Sequence, residues 1–439
     1  MYTLCCVDLL IDKQGVHLPY LNSEEALAPE AQEQLLNQFA EHYVRLVLAV
    51  GQHDIYYVDA YYGPEQWQKD TYWQPLSELL LLQQAGVSEL AAIVDKLTKP
   101  ELITRADFLE QQWASIGAYI NVLQGNKFGF CAEASALYDV PATANLFGKG
   151  LPHQQQLLAE IDNLLPGEGT LSVRFNQFKS QFIVPKDKAA AVFTAAVEVA
   201  RQITRTHMQL PADESFEIEY VNDKVWTAYN WYKGNSHSLI QLNQDQPLGI
   251  ERYLELASHE GYPGHHVFNL LQERQLVDAR GWLEYAIYPL YSPISYLSEG
   301  SANYALSLIM SDEQILTFEQ DVLMPLAGLK GDLALFHKVL KLVKQLTYYE
   351  NYVCQQLTDN LIDAETAEQM LIEGALYPEA RAQQRVQFFL HNRSYVMNYN
   401  VGEDAVAAWV GSKASSQAEK WARFEALLSR PLNASELQL

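Results

Sequence analysis

The stretch Glu251-Arg-Tyr-Leu-Glu-Leu-Ala-Ser-His259-Glu260-Gly-Tyr-Pro263-Gly264-His265-His266-Val-Phe-Asn-Leu-Leu-Gln-Glu273 reads as a helical run with a fault in its middle. Apolar residues recur at helical spacing on both sides of the fault. Inside it, three histidines and a glutamate fall within residues 259–266. In a common zinc-hydrolase arrangement, two histidines at i and i+4 on one helical face bind the ion, and the glutamate after the first acts on water. His259-Glu260 has that opening, but the next histidines come six and seven residues on. An unbroken helix would carry them roughly 9 to 10 Å further along the axis, too far to share one zinc at bonds of about 2 Å. Pro263 and Gly264 supply the remedy. Proline cannot donate the intrahelical hydrogen bond, and glycine tolerates angles that other residues avoid, so the helix is expected to bulge there. His265 then returns to the i+4 place, or His266 does if the loop takes one residue more. We favour His265 as ligand and leave His266 either to support the ligands from behind or to stabilise the oxyanion; the choice between the two histidines stays open at the level of sequence.

A third protein ligand should come from a second helix. Tyr296-Leu-Ser-Glu299-Gly-Ser-Ala-Asn303-Tyr304 places a carboxylate among apolar and small residues, where an acid is rare unless paired or metal-bound. Asn303, one turn on, is suited to accept the second N–H of a ligating imidazole. Packing alone gains nothing from so much titratable chemistry beside a helix-breaking Pro-Gly, so the pattern points to a metal site.

Helix is the expectation for most of the chain. Leu35, Leu36, Phe39, Tyr43, Leu46, Val47 and Val50 share one face of a 3.6-residue period. Further helical stretches fall at about Glu78–Leu97, Arg105–Leu123, Gln154–Leu164, Lys188–Thr206 and Ala414–Leu428. One region breaks the pattern. Phe216, Ile218 and Tyr220 alternate with polar residues, and Val225–Trp231 and Ser238–Leu242 are rich in β-branched, aromatic and apolar residues around Gly234-Asn235. The fold predicted is mostly α, with one small antiparallel sheet next to the metal site, whose exposed edge can pair with an extended substrate backbone. An N-terminal helical lobe (1–210) and a lobe of sheet plus helices (211–439) are expected to form one compact unit, since no Gly-, Ser- or Pro-rich linker divides them.

The 439 residues carry 54 acidic against 30 basic side chains, a net charge of −24 that opposes binding to nucleic acid or anionic lipid. No apolar run reaches the roughly 20 residues that span a bilayer, and the apolar start Leu4–Leu10 lacks the basic flank of a signal peptide, so a soluble, cytoplasmic protein is expected. Cys5, Cys6, Cys131 and Cys354 show neither paired metal spacing nor a disulfide framework.

The segment 259–266, HEGYPGHH, followed by SEGSANY at 298–304, resembles the bacterial domain-of-unknown-function 885 family, which is similar to gluzincin-type zinc metallopeptidases. The likeness extends to Asp59-Ala-Tyr-Tyr-Gly63-Pro64 and Asn398-Tyr399-Asn-Val-Gly402-Glu-Asp, and so spans most of the chain. It implies His259, His265 or His266, and Glu299 as ligands of one zinc ion, with Glu260 as the base, on a large helical metallopeptidase-like fold. Two departures stand out: Ser301 where a tryptophan is common, and no Pro-Gly-Gln run before Tyr399.

These readings converge on a zinc-dependent peptidase acting on a peptide or small amide. The alternatives are a zinc hydrolase of an ester or non-peptide amide, and a helical metal-binding scaffold without turnover. Glu260 argues against the scaffold, because a structural zinc needs four closed ligands and no base. Besides His266, the oxyanion candidates are His237, Tyr291, Tyr296 and Tyr399. Arg381, Arg385 and Arg393 form a basic island; helix-surface ion pairing is the favoured role, and the alternative is that their forked side chains, Arg393 among them, hold a substrate carboxylate.

Overall fold

The apolar face that begins at Leu35 is buried. Pro29–Val50 is a helix with proline in its first turn, and Leu36, Phe39, Tyr43, Val44, Val47 and Val50 are at most 1% exposed. It packs on the helices Leu76–Val94 and Pro100–Leu123. These two approach closely because position 86 is glycine; a Cβ there would lie 2.1 Å from the Trp113 ring. Trp113 Nε1 donates to the Gln83 carbonyl at 2.7 Å, and Gln83 Nε2 returns the bond at 3.1 Å. The computed structural model describes residues 28–437 except 225 and 246; Leu4–Leu10, Cys5 and Cys6 lie outside the described residues.

The protein is mostly α-helical with two small sheets. The helices expected from periodicity are present at Gly150–Leu164, Lys186–His207 and Gln417–Leu428 as well. One contiguous apolar core runs from Leu35 to Leu437. Arg105, in the helix Pro100–Leu123, forms a two-pronged ion pair with Glu284 at 2.6 and 2.8 Å, both side chains fully buried, and also donates to Asn37 at 2.6 Å. A single guanidinium thus ties the first helices to the segment that precedes Glu299. Among the described residues no helix is long and apolar enough to cross a membrane.

β1 (Val58–Tyr61) pairs antiparallel with β5 (Ile287–Pro289). The register shifts between Val58 and Ala60, so Asp59 sits on a bulge. The other sheet comprises β2 (Ser215–Val221), β3 (Ala228–Tyr232) and β4 (His237–Asn243) in the order β2-β4-β3. Here the structure corrects the expected antiparallel sheet: β3 and β4 form an antiparallel hairpin, but β2 runs parallel to β4. The parallel pair arises because β2 lies beside β4 and not beside its chain neighbour β3. Glu273 secures the hairpin turn by accepting from the backbone N–H of Asn235 at 2.8 Å and Ser236 at 2.9 Å and from the Tyr232 hydroxyl. The sheet is thereby fastened to the His265 segment, with β3 on the outside.

Candidate metal centre

The expected fault is a full break. The helix Glu251–Leu256 continues as a wide π turn, Ala257–Gly261, and a separate helix starts at His265 and runs to Gln272. Between them Tyr262 N–H donates to the Ala257 carbonyl at 3.1 Å and Gly264 N–H to Ser258 at 2.9 Å, folding the chain back on itself. Gly264 is where backbone meets backbone: a Cβ there would lie 1.9 Å from the His259 carbonyl oxygen. The restart turns the His265 ring back toward His259.

The two Nε2 atoms stand 3.1 Å apart, and Glu299 on the helix Pro293–Ile309 brings carboxylate oxygens to 3.6 Å from His259 Nε2 and 3.7 Å from His265 Nε2. Ligand-type atoms of all three residues lie within 4.8 Å of one another. Each ring is fixed from behind. His259 Nδ1 meets Asn303 Oδ1 at 2.9 Å, and the Asn303 amide is oriented because its Nδ2 donates to the Tyr399 carbonyl at 2.6 Å. The oxygen therefore faces the ring, Nδ1 carries the proton, and Nε2 presents a bare lone pair. His265 Nδ1 lies 3.0 Å from Ser298 Oγ. Tyr395 donates to Glu299 Oε1 at 2.7 Å, while Oε2 is buried with no partner. Three acceptor-rich groups thus face one point with at most the one exchangeable proton of His265 between them. A divalent cation satisfies this donor set, so the residues fit the metal that the sequence implied.

Electrostatics favour the forms a metal needs for its imidazoles and oppose them for its acids. Burial first, and then the nearby Arg252 charge, lower the His259 pKa to about 4, partly offset by the Asn303 bond. Burial and His259 hold His265 well below its ordinary value. Both rings are neutral at pH 7. Burial raises Glu299 to about 7, with Tyr395 pulling it down and Asp59 pushing it up. Glu260 is raised to about 8 by burial, then by Glu299 and Asp59. Without a cation these carboxylates repel one another.

Glu260 lies within the π turn beside His259, and its backbone carbonyl accepts from Asn230 Nδ2 of β3 at 2.6 Å. Its carboxylate has no hydrogen-bond partner among the described residues. Tyr399 borders the site: its ring packs on Tyr395 with centroids 5.6 Å apart, and burial and the Glu299 charge push its hydroxyl far above the ordinary value.

Other sequence candidates lie elsewhere. His266 does not reach the cluster with a free nitrogen. Nδ1 is bound to Ser238 Oγ at 2.8 Å and Nε2 lies 3.3 Å from Glu214, in a network that includes buried Tyr262 and is completed by the partly exposed Arg201. The oxyanion role is therefore withdrawn. The helix restarting at His265 turns its next side chain toward the sheet. His237 pairs with Ser215 Oγ at 2.9 Å. The Tyr296 hydroxyl donates to the Val401 carbonyl at 3.1 Å, and that of Tyr291 to Asn392 at 3.2 Å; both tyrosines are core members. Arg393 is ion-paired with Glu133 at 2.5 Å and donates to the Phe128 carbonyl, and Arg385 is paired with Glu350 at 2.8 Å. Both guanidinium groups are thus ion-paired with internal acids, and Arg381 Nη1 donates to Gln384 Oε1 at 2.7 Å. Of the cysteines, Cys131 is exposed and Cys354 is buried.

Asp59, Tyr229, Ser298 and Tyr395 were not among the candidates. Burial raises the Asp59 pKa to about 7, and the residue as a whole is half-buried. The Tyr229 hydroxyl donates to it. The one sequence signal was Asp59's place in the segment preceding Gly63-Pro64.

No family model matches the sequence, and no curated protein matches it. The chain is similar to several solved structures, two of which follow. One is a candidate lipoprotein from Colwellia psychrerythraea, with a TM-score of 0.49 and 14% identity over 80% of this chain and 69% of that one. The other is a candidate lipoprotein of unknown function from Shewanella oneidensis, with a TM-score of 0.48 and 11% identity over 82% and 72%.

Proposed function

We propose that the protein is a zinc-dependent hydrolase, a metallopeptidase of the gluzincin kind, with His259, His265 and Glu299 as ligands of one zinc ion and Glu260 as general base. The observation that carries this is the convergence of two neutral imidazole nitrogens and a buried carboxylate with one unpartnered oxygen, with a second, unbonded carboxylate one residue from the first histidine. A zinc ion held by His259, His265 and Glu299 would lower the pKa of a bound water towards about 7 and polarise a carbonyl.

Glu260 takes a proton from the attacking water and passes it to the nitrogen as the C–N bond breaks. An acid whose pKa lies near neutrality suits both halves of that task. Asn303 holds the His259 tautomer, Ser298 orients the His265 ring, and Tyr395 orients Glu299. Tyr399, flanking Glu299, is the remaining candidate to donate to the developing oxyanion. A peptide is favoured among amides because β3 pairs only with β4 among the described strands, leaving an edge beside Glu260 on which an extended backbone can lie.

Metal analysis and a peptide-library digest test the reading, with Glu260→Gln as control. One zinc per chain, with cleavage lost in the variant, is expected. Bound zinc with turnover of esters only would replace the peptidase by an esterase, and zinc without any turnover would leave a metal-binding scaffold.

A further inference from the structure

The break in the helix leaves the Glu260 carbonyl without the donor a helix would supply. Three residues on stands Pro263, which has no N–H, and four residues on the Gly264 N–H turns back to the Ser258 carbonyl at 2.9 Å. Glu260 is buried, and a buried carbonyl left in that state is costly. The replacement comes from outside the helix: Asn230 Nδ2 donates to this carbonyl at 2.6 Å.

Asn230 is the central residue of β3 and stands opposite the fully buried Ile240, so its side chain lies on the inner face of the sheet, with Tyr229 and Trp231 on the other. Packing alone would favour an apolar side chain there, because the amide Oδ1 is buried with no partner. The orientation of the amide is fixed all the same, since a flip would set Oδ1 against the carbonyl oxygen. Two residues further along the same face, the Tyr232 hydroxyl donates to Glu273, just beyond the helix His265–Gln272. A single strand thus braces both halves of the broken helix, at Glu260 and past His265. The three ligand groups have supports of their own in Asn303, Ser298 and Tyr395, and the Asn230 amide bonds to none of them.

We propose that Asn230 is the positioning residue of Glu260: from edge strand β3 it holds the backbone of the base, and so fixes the base relative to a substrate backbone laid along that strand. The assignment rests on the zinc-hydrolase reading and adds to it a residue that acts on the attacking water through Glu260. Without the Nδ2 bond the π turn relaxes at its carbonyl, and the carboxylate moves while the metal stays bound. A misplacement of about 1 Å at a reacting group costs on the order of 100-fold in rate.

Asn230→Leu, close in shape and without a donor, tests this in the zinc-loaded full chain. The substrate is the best-cleaved peptide of the library digest, made as an internally quenched fluorogenic probe, and kcat, KM and zinc content are measured together. kcat is expected to fall by about 10- to 100-fold, with KM within about twofold of the wild type and zinc retained in full. Zinc content reports the folded fraction, so a merely structural loss would lower it in step with kcat. An unchanged kcat, a loss confined to KM, or zinc lost in step with kcat overturns the assignment and leaves the metal centre standing. Should Asn230→Leu fail to fold, Asn230→Thr, which suits a strand and whose hydroxyl stops one atom short, takes its place under the same criteria. A wild type that binds zinc and cuts no peptide of the library removes the peptidase reading, and the assignment with it.

Discussion

Asn303 commits both ends of its amide, Oδ1 to the His259 ring and Nδ2 to the Tyr399 carbonyl. Removing such a partner of a ligand costs about 10- to 100-fold in metal affinity. Asn303→Ala should therefore weaken zinc by that factor in competition with a chromogenic chelator, and unchanged affinity would show that the ring is held by packing alone. His266 makes the opposite prediction. Its bonds to Ser238 and Glu214 are internal, so His266→Gln should keep one zinc per chain while lowering stability in urea by about 1–3 kcal/mol, the cost of a buried polar group left unsatisfied. Loss of zinc in that variant would restore His266 to the site. His259, Glu260, His265, Glu299 and Asn303 were legible because each candidate interaction follows from helical spacing within a short segment. Which neighbouring histidine turns inward depends on the angle at which the second helix restarts, and residue spacing does not encode that angle. Tyr395 was illegible for another reason. It reaches the site through the 3-10 turn Arg393–Asn398, a contact that no local pattern announces.

The broken helix is the element on which the centre depends. Both halves keep helical periodicity, so the sequence predicted them, but the expected bulge is a π turn, a reversal and a new start. Gly264 permits it. Substituting alanine forces a Cβ onto the His259 carbonyl, and the backbone must move. Overpacking of this kind costs about 1–3 kcal/mol, and the displacement separates the two imidazoles. Gly264→Ala should lower the urea midpoint and abolish stoichiometric zinc binding together; a stable variant that still binds zinc would mean the reversal is not needed. The sheet shows where strand patterns stop informing. Alternation located β2, β3 and β4, yet the parallel pairing of β2 with β4 is a choice of spatial neighbour, which period-two patterns leave open.

At the scale of the molecule, the main core, beside a smaller apolar cluster around Leu157 and Val339, and the fully buried Arg105–Glu284 ion pair make the site part of the global fold. Glu284→Gln leaves the Arg105 charge buried and partly unpaired, so unfolding should become easier by about 3–5 kcal/mol in urea, with zinc affinity unchanged in the folded fraction. The pH dependence of stability reports the centre itself. His259 titrates near 4 when folded and near 6.5 when unfolded, so its contribution falls as pH drops through that window and has no slope above about 6.5. The acids act in the other sense. Asp59 and Glu299 are raised to about 7 and Glu260 to about 8, so the folded chain keeps protons that the unfolded chain has lost. Their contribution is complete at low pH and is lost as pH rises through those values. His337, raised by its Glu319 partner against the opposing effect of burial, adds a loss of the same sign. Chelator-treated protein should therefore melt at progressively lower temperature from about pH 6.5 to 8 and level off above that, and Glu260→Gln should remove most of the loss that persists between about pH 7 and 8. Zinc reverses the balance, because a dication favours ionised carboxylates and neutral imidazoles together. The loaded protein should melt higher, on a flatter pH profile. A metal-free melting temperature that rises across the same window would mean that these carboxylates are not buried together, and the centre would lose its electrostatic basis.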